Sequence, residues 1–277
     1  MHGRMYAGWP GEMRFQRETR YEMLEDNIVE RYLAWDGCSN IRDLGGLPAS
    51  EDGRIRRGAL IRADNLCQLT PAGQAALIAY GVRTIVDLRS PSEAALAPHP
   101  FATEDAAAVR PKYLHLPLFD ASDEPVIAAL TAAASPYETY VVFLERCRPQ
   151  LASALCAIAY ADDGPVLVHC HAGKDRTGLV VALSLAVAGV PGESIAADYA
   201  LSDLYLQRAY QEILARYAGK PDAPQHLMEQ LTSYPEAMLQ TLAYLELTYS
   251  GLDRYLYSIG LTDADCTRLR DRLREPA

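Results

Sequence analysis

Residues 169–178 read His-Cys-His-Ala-Gly-Lys-Asp-Arg-Thr-Gly, and what lies on either side of them decides the fold class. Upstream, Pro165-Val166-Leu167-Val168 is a short apolar run bounded by Asp162-Asp163-Gly164, which reads as a buried strand. Downstream, residues 179–189 are almost wholly apolar and long enough for a buried helix, which Gly189 and Pro191 stop. A strand, a tight loop and a helix N-terminus therefore surround Cys170, with Gly173 and Gly178 permitting close turns. Successive backbone N–H groups at such a junction can hold an anion, and the helix dipole favours negative charge in the same place.

Working outward, strands are expected at 55–61, 83–88, 113–116 and 166–169. Thr70-Pro71 is an N-cap followed by proline at the first helical position, opening a helix that ends at Gly81. Ser135-Pro136-Tyr137-Glu138 has the spacing of a capping box, and Pro149 separates that helix from another over 150–160. Strands alternating with helices predict an α/β fold, a central, mainly parallel sheet flanked by helices. Ligands of such sheets bind beyond the carboxyl ends of the strands, where Asp87-Leu88-Arg89, Asp120 and the Cys170 loop all fall. From Glu193 onward the pattern is helical, over 193–217, 236–247 and 262–273. Nine tyrosines lie between Tyr199 and Tyr257. They read either as a substrate surface or as half-buried helix faces, and the second suits tyrosine better. The segment 218–224 breaks the helices and reads as a hinge.

Each residue of the decapeptide has a chemical reason. Helix N-termini and neighbouring cations favour the cysteine thiolate, a nucleophile able to attack phosphorus, so Cys170 is the candidate nucleophile. Arg176 is a planar fork that can hold two phosphate oxygens, in the ground state and as charge shifts. Thr177 can donate its hydroxyl to the sulfur. His171, Ala172, Gly173 and Lys174 line the loop as phosphate- and substrate-binding candidates, and Arg62 can add positive charge or pair with Asp64. His169 is expected to be buried and to order the loop, with Asp87 as a second loop-ordering candidate that can also pair with Arg89. Arg42 and Asp43 either form an ion pair or frame the pocket. Two aspartates compete as general acid, Asp120 and Asp175, with Asp175 preferred. A nucleotide-binding P-loop is rejected, since it needs glycine where Val168 stands and Ser or Thr directly after Lys174. A buried structural cysteine and a sulfur-transfer loop fit less well than phosphoryl transfer. No His/Asp/Glu metal spacing accompanies the loop, so neither metal nor cofactor is expected.

The loop resembles the signature of the bacterial cysteine-dependent tyrosine and lipid phosphatases that carry an HCxxGKDRTG loop. The resemblance extends along the chain. Asn40-Ile41-Arg42-Asp43 is similar to the family's NFRD-type motif, residues 58–66 to its GxLFRS-type strand, and Asp87-Leu88-Arg89-Ser90 to its DLRS strand end. Leu116-Pro117-Leu118-Phe119-Asp120, Ala197-Asp198-Tyr199 and the stretch from Tyr249 to Gly260 continue it in order. It implies a cysteine-phosphatase fold with a C-terminal helical, lid-like region. It also implies hydrolysis of phosphomonoesters through a phosphocysteine. The implied substrates are phosphotyrosine, phosphoserine or phosphothreonine proteins, or phosphoinositide headgroups. A small-metabolite phosphatase and a catalytically dead phosphate-binding module are the alternatives.

Composition bounds the remainder. The 277 residues divide into an arm over 1–37 and a single domain over 38–277, which includes the helical region 193–277. A net charge of −10 disfavours nucleic acid or an anionic membrane as partner. The six cysteines show no CxxC spacing, which predicts reduced thiols. The N-terminus lacks an apolar signal core and no 18-residue apolar span occurs. A cytoplasmic protein is the expectation, with export lacking a cleaved signal left open.

Overall fold

In the computed structural model the described residues are 30–50, 52–102, 110–218, 220 and 227–275. The chain divides into two units, Met1–Leu33 and Ala34–Ala277. Only residues 30–33 of the first are described, so most of the expected arm lies outside the described residues. Most of the segment read as a hinge, 218–224, does too.

The second unit is built on five strands: β1 (Arg42–Asp43), β2 (Leu60–Ala63), β3 (Thr84–Asp87), β4 (Lys112–His115) and β5 (Val166–His169). They lie in the order β1-β2-β5-β3-β4, parallel throughout except for β1, which runs antiparallel to β2. This is the expected α/β sheet. Every residue of β2, β3 and β5 is buried, as strands covered on both faces must be. The register sets Ala63, His169, Asp87 and His115 side by side at the carboxyl end. The loop that carries Cys170 leaves the sheet at the residue that follows β5.

Helices cover the sheet. α1 (Pro71–Tyr80) is capped by Thr70 and closed by Gly81 in the left-handed conformation, as the sequence predicts. α2 (Pro91–Leu96) opens with a Ser90–Glu93 capping box. Next come α3 (Glu124–Ala132), α4 (Pro136–Arg146) and α5 (Arg148–Ala159), with proline in the first turn of each. α6 (Asp175–Val187) is buried along almost its whole length, consistent with its apolar sequence. It is followed by α7 (Gly192–Ala200), α8 (Ser202–Tyr217), α9 (Leu227–Leu231), α10 (Pro235–Tyr249), α11 (Leu252–Ser258) and α12 (Asp263–Leu273). Among the described residues no helix is long and apolar enough to cross a membrane, and all six cysteines are free thiols.

Four local expectations are corrected. The strand expected over 55–61 starts instead at Leu60, because Gly58 turns the chain at positive φ while its N–H bonds Asp43. At Ser135 only half of the capping box forms, since the Glu138 carboxylate takes the N–H of Ala134. α6 starts at Asp175 rather than Leu179, which places Arg176 and Thr177 in its first turn. The helix expected over 193–217 divides at Leu201. There the carbonyl of Asp198, which an unbroken helix would use internally, accepts a 2.6 Å bond from Arg42.

Candidate active site

The first three carbonyls of the loop are held from outside it, and the fourth by the first turn of α6. His171 O accepts from Asn65 N (2.9 Å), Ala172 O from Asn40 Nδ2 (2.9 Å), Gly173 O from Arg62 Nη2 (2.7 Å) and Lys174 O from Gly178 N (2.8 Å). In a trans peptide the C=O of one residue and the N–H of the next point in opposite directions. The N–H groups of Ala172, Gly173, Lys174 and Asp175 therefore turn into the space that the loop encloses. Gly173 is required for this path: its φ is +67°, and a Cβ there would stand 2.3 Å from Ala63 O. Cys170 lies at the root of the loop, buried, and the helix N-terminus of α6 completes the ring of donors.

Beneath the loop, Arg42 and Arg62 are direct partners across β1 and β2. Both are fully buried, and both bond one carboxylate, Asp198 of α7, at 3.0 and 2.9 Å. Arg62 is thereby corrected as a phosphate-binding candidate. Its guanidinium is turned under the loop, onto Asp198 and Gly173 O, and its partner is not Asp64, which bonds Cys38 and Ser39 instead. Arg42 and Asp43 do not form the ion pair of one reading, since Arg42 bonds Asp198 and Asn40 while Asp43 accepts from Gly45 N, Gly58 N and Tyr80 Oη.

Arg176 presents its two terminal nitrogens to Glu93 of α2, at 2.5 and 2.8 Å. The other edge of the fork, along Nε, is not engaged by Glu93. Its guanidinium also lies over the Phe119 ring, 5.3 Å from the centroid. Burial works against the charge on Arg176, but the Glu93 carboxylate overrides it and holds the proton above arginine's ordinary value. Against a burial that raises it, Glu93 is drawn down to about 2 by Arg176. Next to Arg176, the Thr177 hydroxyl is buried without a hydrogen-bond partner among the described residues.

Comparison with known proteins decides the kinship of this site. The sequence pattern of the tyrosine phosphatase family matches residues 33–275. The chain is 34% identical over 236 residues to a tyrosine-protein phosphatase of Nostoc commune, covering 82% of this chain and 78% of the relative. A putative tyrosine-protein phosphatase of Cupriavidus necator is also 34% identical, with 81% and 82% covered. The triple specificity protein phosphatase PtpB of Mycobacterium tuberculosis is 30% identical over 271 residues, with 84% and 96% covered. The chain belongs to the tyrosine phosphatase family.

In this phosphatase the two candidate acids stand in different surroundings. Asp175 Oδ1 accepts from Lys174 Nζ (2.6 Å) and Tyr140 Oη (2.9 Å), beside the loop. Asp120 is an exposed turn residue whose carboxylate bonds Ser122, which holds its pKa below the usual value. Lys174 is corrected as a phosphate-binding side chain, because its ammonium is buried on Asp175 and Gln230 O (2.8 Å). Burial lowers its proton affinity, yet the adjacent Asp175 more than reverses this. The side chain of His171 is exposed. His169 is buried, its Nδ1 3.1 Å from Cys170 O, and burial lowers its pKa to about 4 although Asp87 opposes the shift. Asp87 lies 3.6 Å from His169 Nε2 and is bound mainly by Arg89, which pairs with it as one reading had it. His99, stacked on Tyr113 at 4.5 Å, is pushed down to about 3 by burial and then by His169.

The sequence reading did not find Glu93, Asn40, Asp198 or Tyr140 as site residues. Glu93 had a signal, the Ser90-x-x-Glu93 spacing, but that spacing says nothing about an arginine 83 positions away. Asp198 lay within the Ala-Asp-Tyr resemblance. Tyr140 carried no local signal at all.

Two outcomes are expected. Asp198→Asn leaves two buried guanidinium groups without their carboxylate and should cost about 3–5 kcal/mol in denaturant unfolding. A loss below about 1 kcal/mol would show that the pairing is incidental. Second, unfolded histidine takes up a proton near pH 6.5, whereas native His169 and His99 resist until about 4 and 3. Stability is then fully present above about pH 6.5 and declines as pH falls toward 4. His99→Phe should flatten the slope of melting temperature against pH in that window; an unchanged slope contradicts the assignment.

Proposed function

We propose that this phosphatase hydrolyses phosphomonoesters in two transfers through Cys170. The observation that carries the reading is the set of inward N–H groups from Ala172 to Asp175, with Cys170 at their base. Those donors match the equatorial oxygens of a phosphoryl group, and a preorganised nest costs no reorganisation as charge moves. Cys170 Sγ attacks phosphorus. The bond to the leaving oxygen breaks, that oxygen keeps the electron pair, and the Asp175 carboxyl supplies its proton. Water then attacks the phosphocysteine and returns a proton to Asp175, while the P–S bond breaks and the thiolate is regenerated.

The other residues take roles that their positions support. Arg176, locked by Glu93 through one edge, offers the Nε edge to phosphate oxygens, with the orientation set before substrate arrives. The unpartnered hydroxyl of Thr177 donates to the sulfur when it departs as thiolate, since a buried donor without an acceptor is costly. His169 and Asp87 stiffen the loop from behind, with His169 kept neutral. Asp120, exposed and bound to Ser122, is the less suited acid.

For substrate, we propose phosphorylated proteins, phosphotyrosine foremost, with phosphoserine, phosphothreonine and phosphoinositide headgroups as further members of the range. The names of the relatives support tyrosine; the triple specificity named for the mycobacterial relative supports breadth.

The experiment is a comparison of variants on phenyl and p-nitrophenyl phosphate. Cys170→Ser should abolish turnover, and Arg176→Lys should fail because lysine lacks the fork. Asp175→Asn should lower kcat on phenyl phosphate by roughly 10²–10⁴-fold and far less on the nitro compound, whose leaving group needs no proton. Full activity of Cys170→Ser would sink the mechanism, and the same split in Asp120→Asn instead would move the acid there. A preference of several decades for a soluble sugar phosphate or nucleotide over phosphopeptides would overturn the substrate assignment.

A further inference from the structure

Tyr140 stands in α4, 35 positions before Asp175 in sequence and fully buried. Its hydroxyl lies 2.9 Å from Asp175 Oδ1 and 2.6 Å from the hydroxyl of Tyr199 in α7. The two rings pack edge to face at 5.9 Å and 88°, which fixes where the Tyr140 oxygen can be. A phenol has one proton to give. With Asp175 Oδ1 as acceptor, both contacts are made at once only if Tyr199 donates to Tyr140 and Tyr140 donates to Asp175.

We propose that Tyr140 is the positioning residue for the acid–base carboxylate of Asp175, an inference that rests on the two-transfer reading above. Oδ1 is gripped from two sides, by Tyr140 and by Lys174, and Lys174 is itself held by Gln230 O. Oδ2 has no hydrogen-bond partner among the described residues, and the side chain is 35% exposed. With Oδ1 saturated by two donors, the proton that moves resides on Oδ2. In the first transfer Oδ2–H gives its proton to the leaving oxygen as the P–O bond breaks. In the second, Oδ2 takes a proton from the water that attacks the phosphocysteine. Oδ1 is an acceptor throughout, and its two donors keep the carboxyl plane from rotating between the steps.

The surroundings suit a permanent donor. Burial, reinforced by the Asp175 charge, pushes the Tyr140 phenol well above its ordinary pKa, so it does not lose its proton across the working range. A purely structural hydroxyl is the competing account, because any buried phenol needs a partner. The two accounts separate in kinetics.

The test is Tyr140→Phe, which keeps the ring contact with Tyr199 and removes one proton donor. On phenyl phosphate, kcat should fall by about 10-fold, the size of one hydrogen bond to a charged group. On p-nitrophenyl phosphate it should fall far less, and KM should stay unchanged on both. In an Asp175→Asn background, Tyr140→Phe should cause no further loss on phenyl phosphate, because the two act as one unit. Equal losses on both substrates, or an additive loss in the double variant, would overturn the proposal. If Tyr140→Phe does not fold by thermal melting, Tyr199→Phe, which removes only the proton given to Tyr140, should produce the same split at smaller size. An absent split there overturns the proposal as well. Should Asp175→Asn itself show no leaving-group dependence, the acid assignment fails first. If Asp175→Asn shows it and Tyr140→Phe does not, only the role of Tyr140 fails.

Discussion

Two arginines that face each other across β1 and β2 share one buried carboxylate, and the loop that carries Cys170 rests on that arrangement. Like charges directly opposite in a ladder repel. Arg42 and Arg62 are tolerated there because Asp198 lies between them, at 3.0 and 2.9 Å. The consequences spread in both directions. Arg62 reaches up to Gly173 O and turns that peptide outward; Arg42 takes the Asp198 carbonyl and divides α7 from α8. One shared carboxylate thus supports the floor of the loop and lies where α7 gives way to α8.

The chemistry follows from how the loop is held rather than from any single side chain. Donors from Asn65, Asn40 and Arg62 draw its carbonyls outward, and trans geometry turns the intervening N–H groups in. The three donors come from β2 and from the segments beside β1 and β2, so residues far from Cys170 in sequence hold its loop. Glu93 acts similarly on Arg176, by fixing the orientation of the fork through its two terminal nitrogens. Preorganisation of this kind is bought with buried polar groups, and some of them, Arg62 Nε, His169 Nε2 and Thr177 Oγ1, have no hydrogen-bond partner among the described residues.

Much of this was legible in the sequence because it is local. The apolar run before His169, Gly173, Thr70-Pro71 and Gly81 each report on their own few residues, and the structure places them as read, whereas Gly178, read as a turn residue, lies within α6. The α/β class followed from the alternation of such elements. What the sequence could not show is pairing at a distance. Arg62 was read toward Asp64, two positions away, whereas its carboxylate comes from Asp198, 136 positions on. Lys174 was read into the pocket because it belongs to the loop, yet Gln230 O and Asp175 hold it in a buried site. β1 was not anticipated because two residues carry no periodicity. Of the nine tyrosines from Tyr199 to Tyr257, all but the exposed Tyr257 are wholly or partly buried, which is the plainer of their two readings, although Tyr199 backs the Asp175 network.

The central claim is that Cys170 carries the phosphoryl group within the ring of inward N–H donors. Rapid acid quenching of a single turnover, followed by mass spectrometry of the peptide bearing Cys170, addresses it directly. The account predicts a phosphoryl adduct on Cys170 that forms as the alcohol is released, decays as phosphate appears, and persists longer in Asp175→Asn with p-nitrophenyl phosphate. Release of alcohol and phosphate in step, with Cys170 unmodified at every time point, would contradict it.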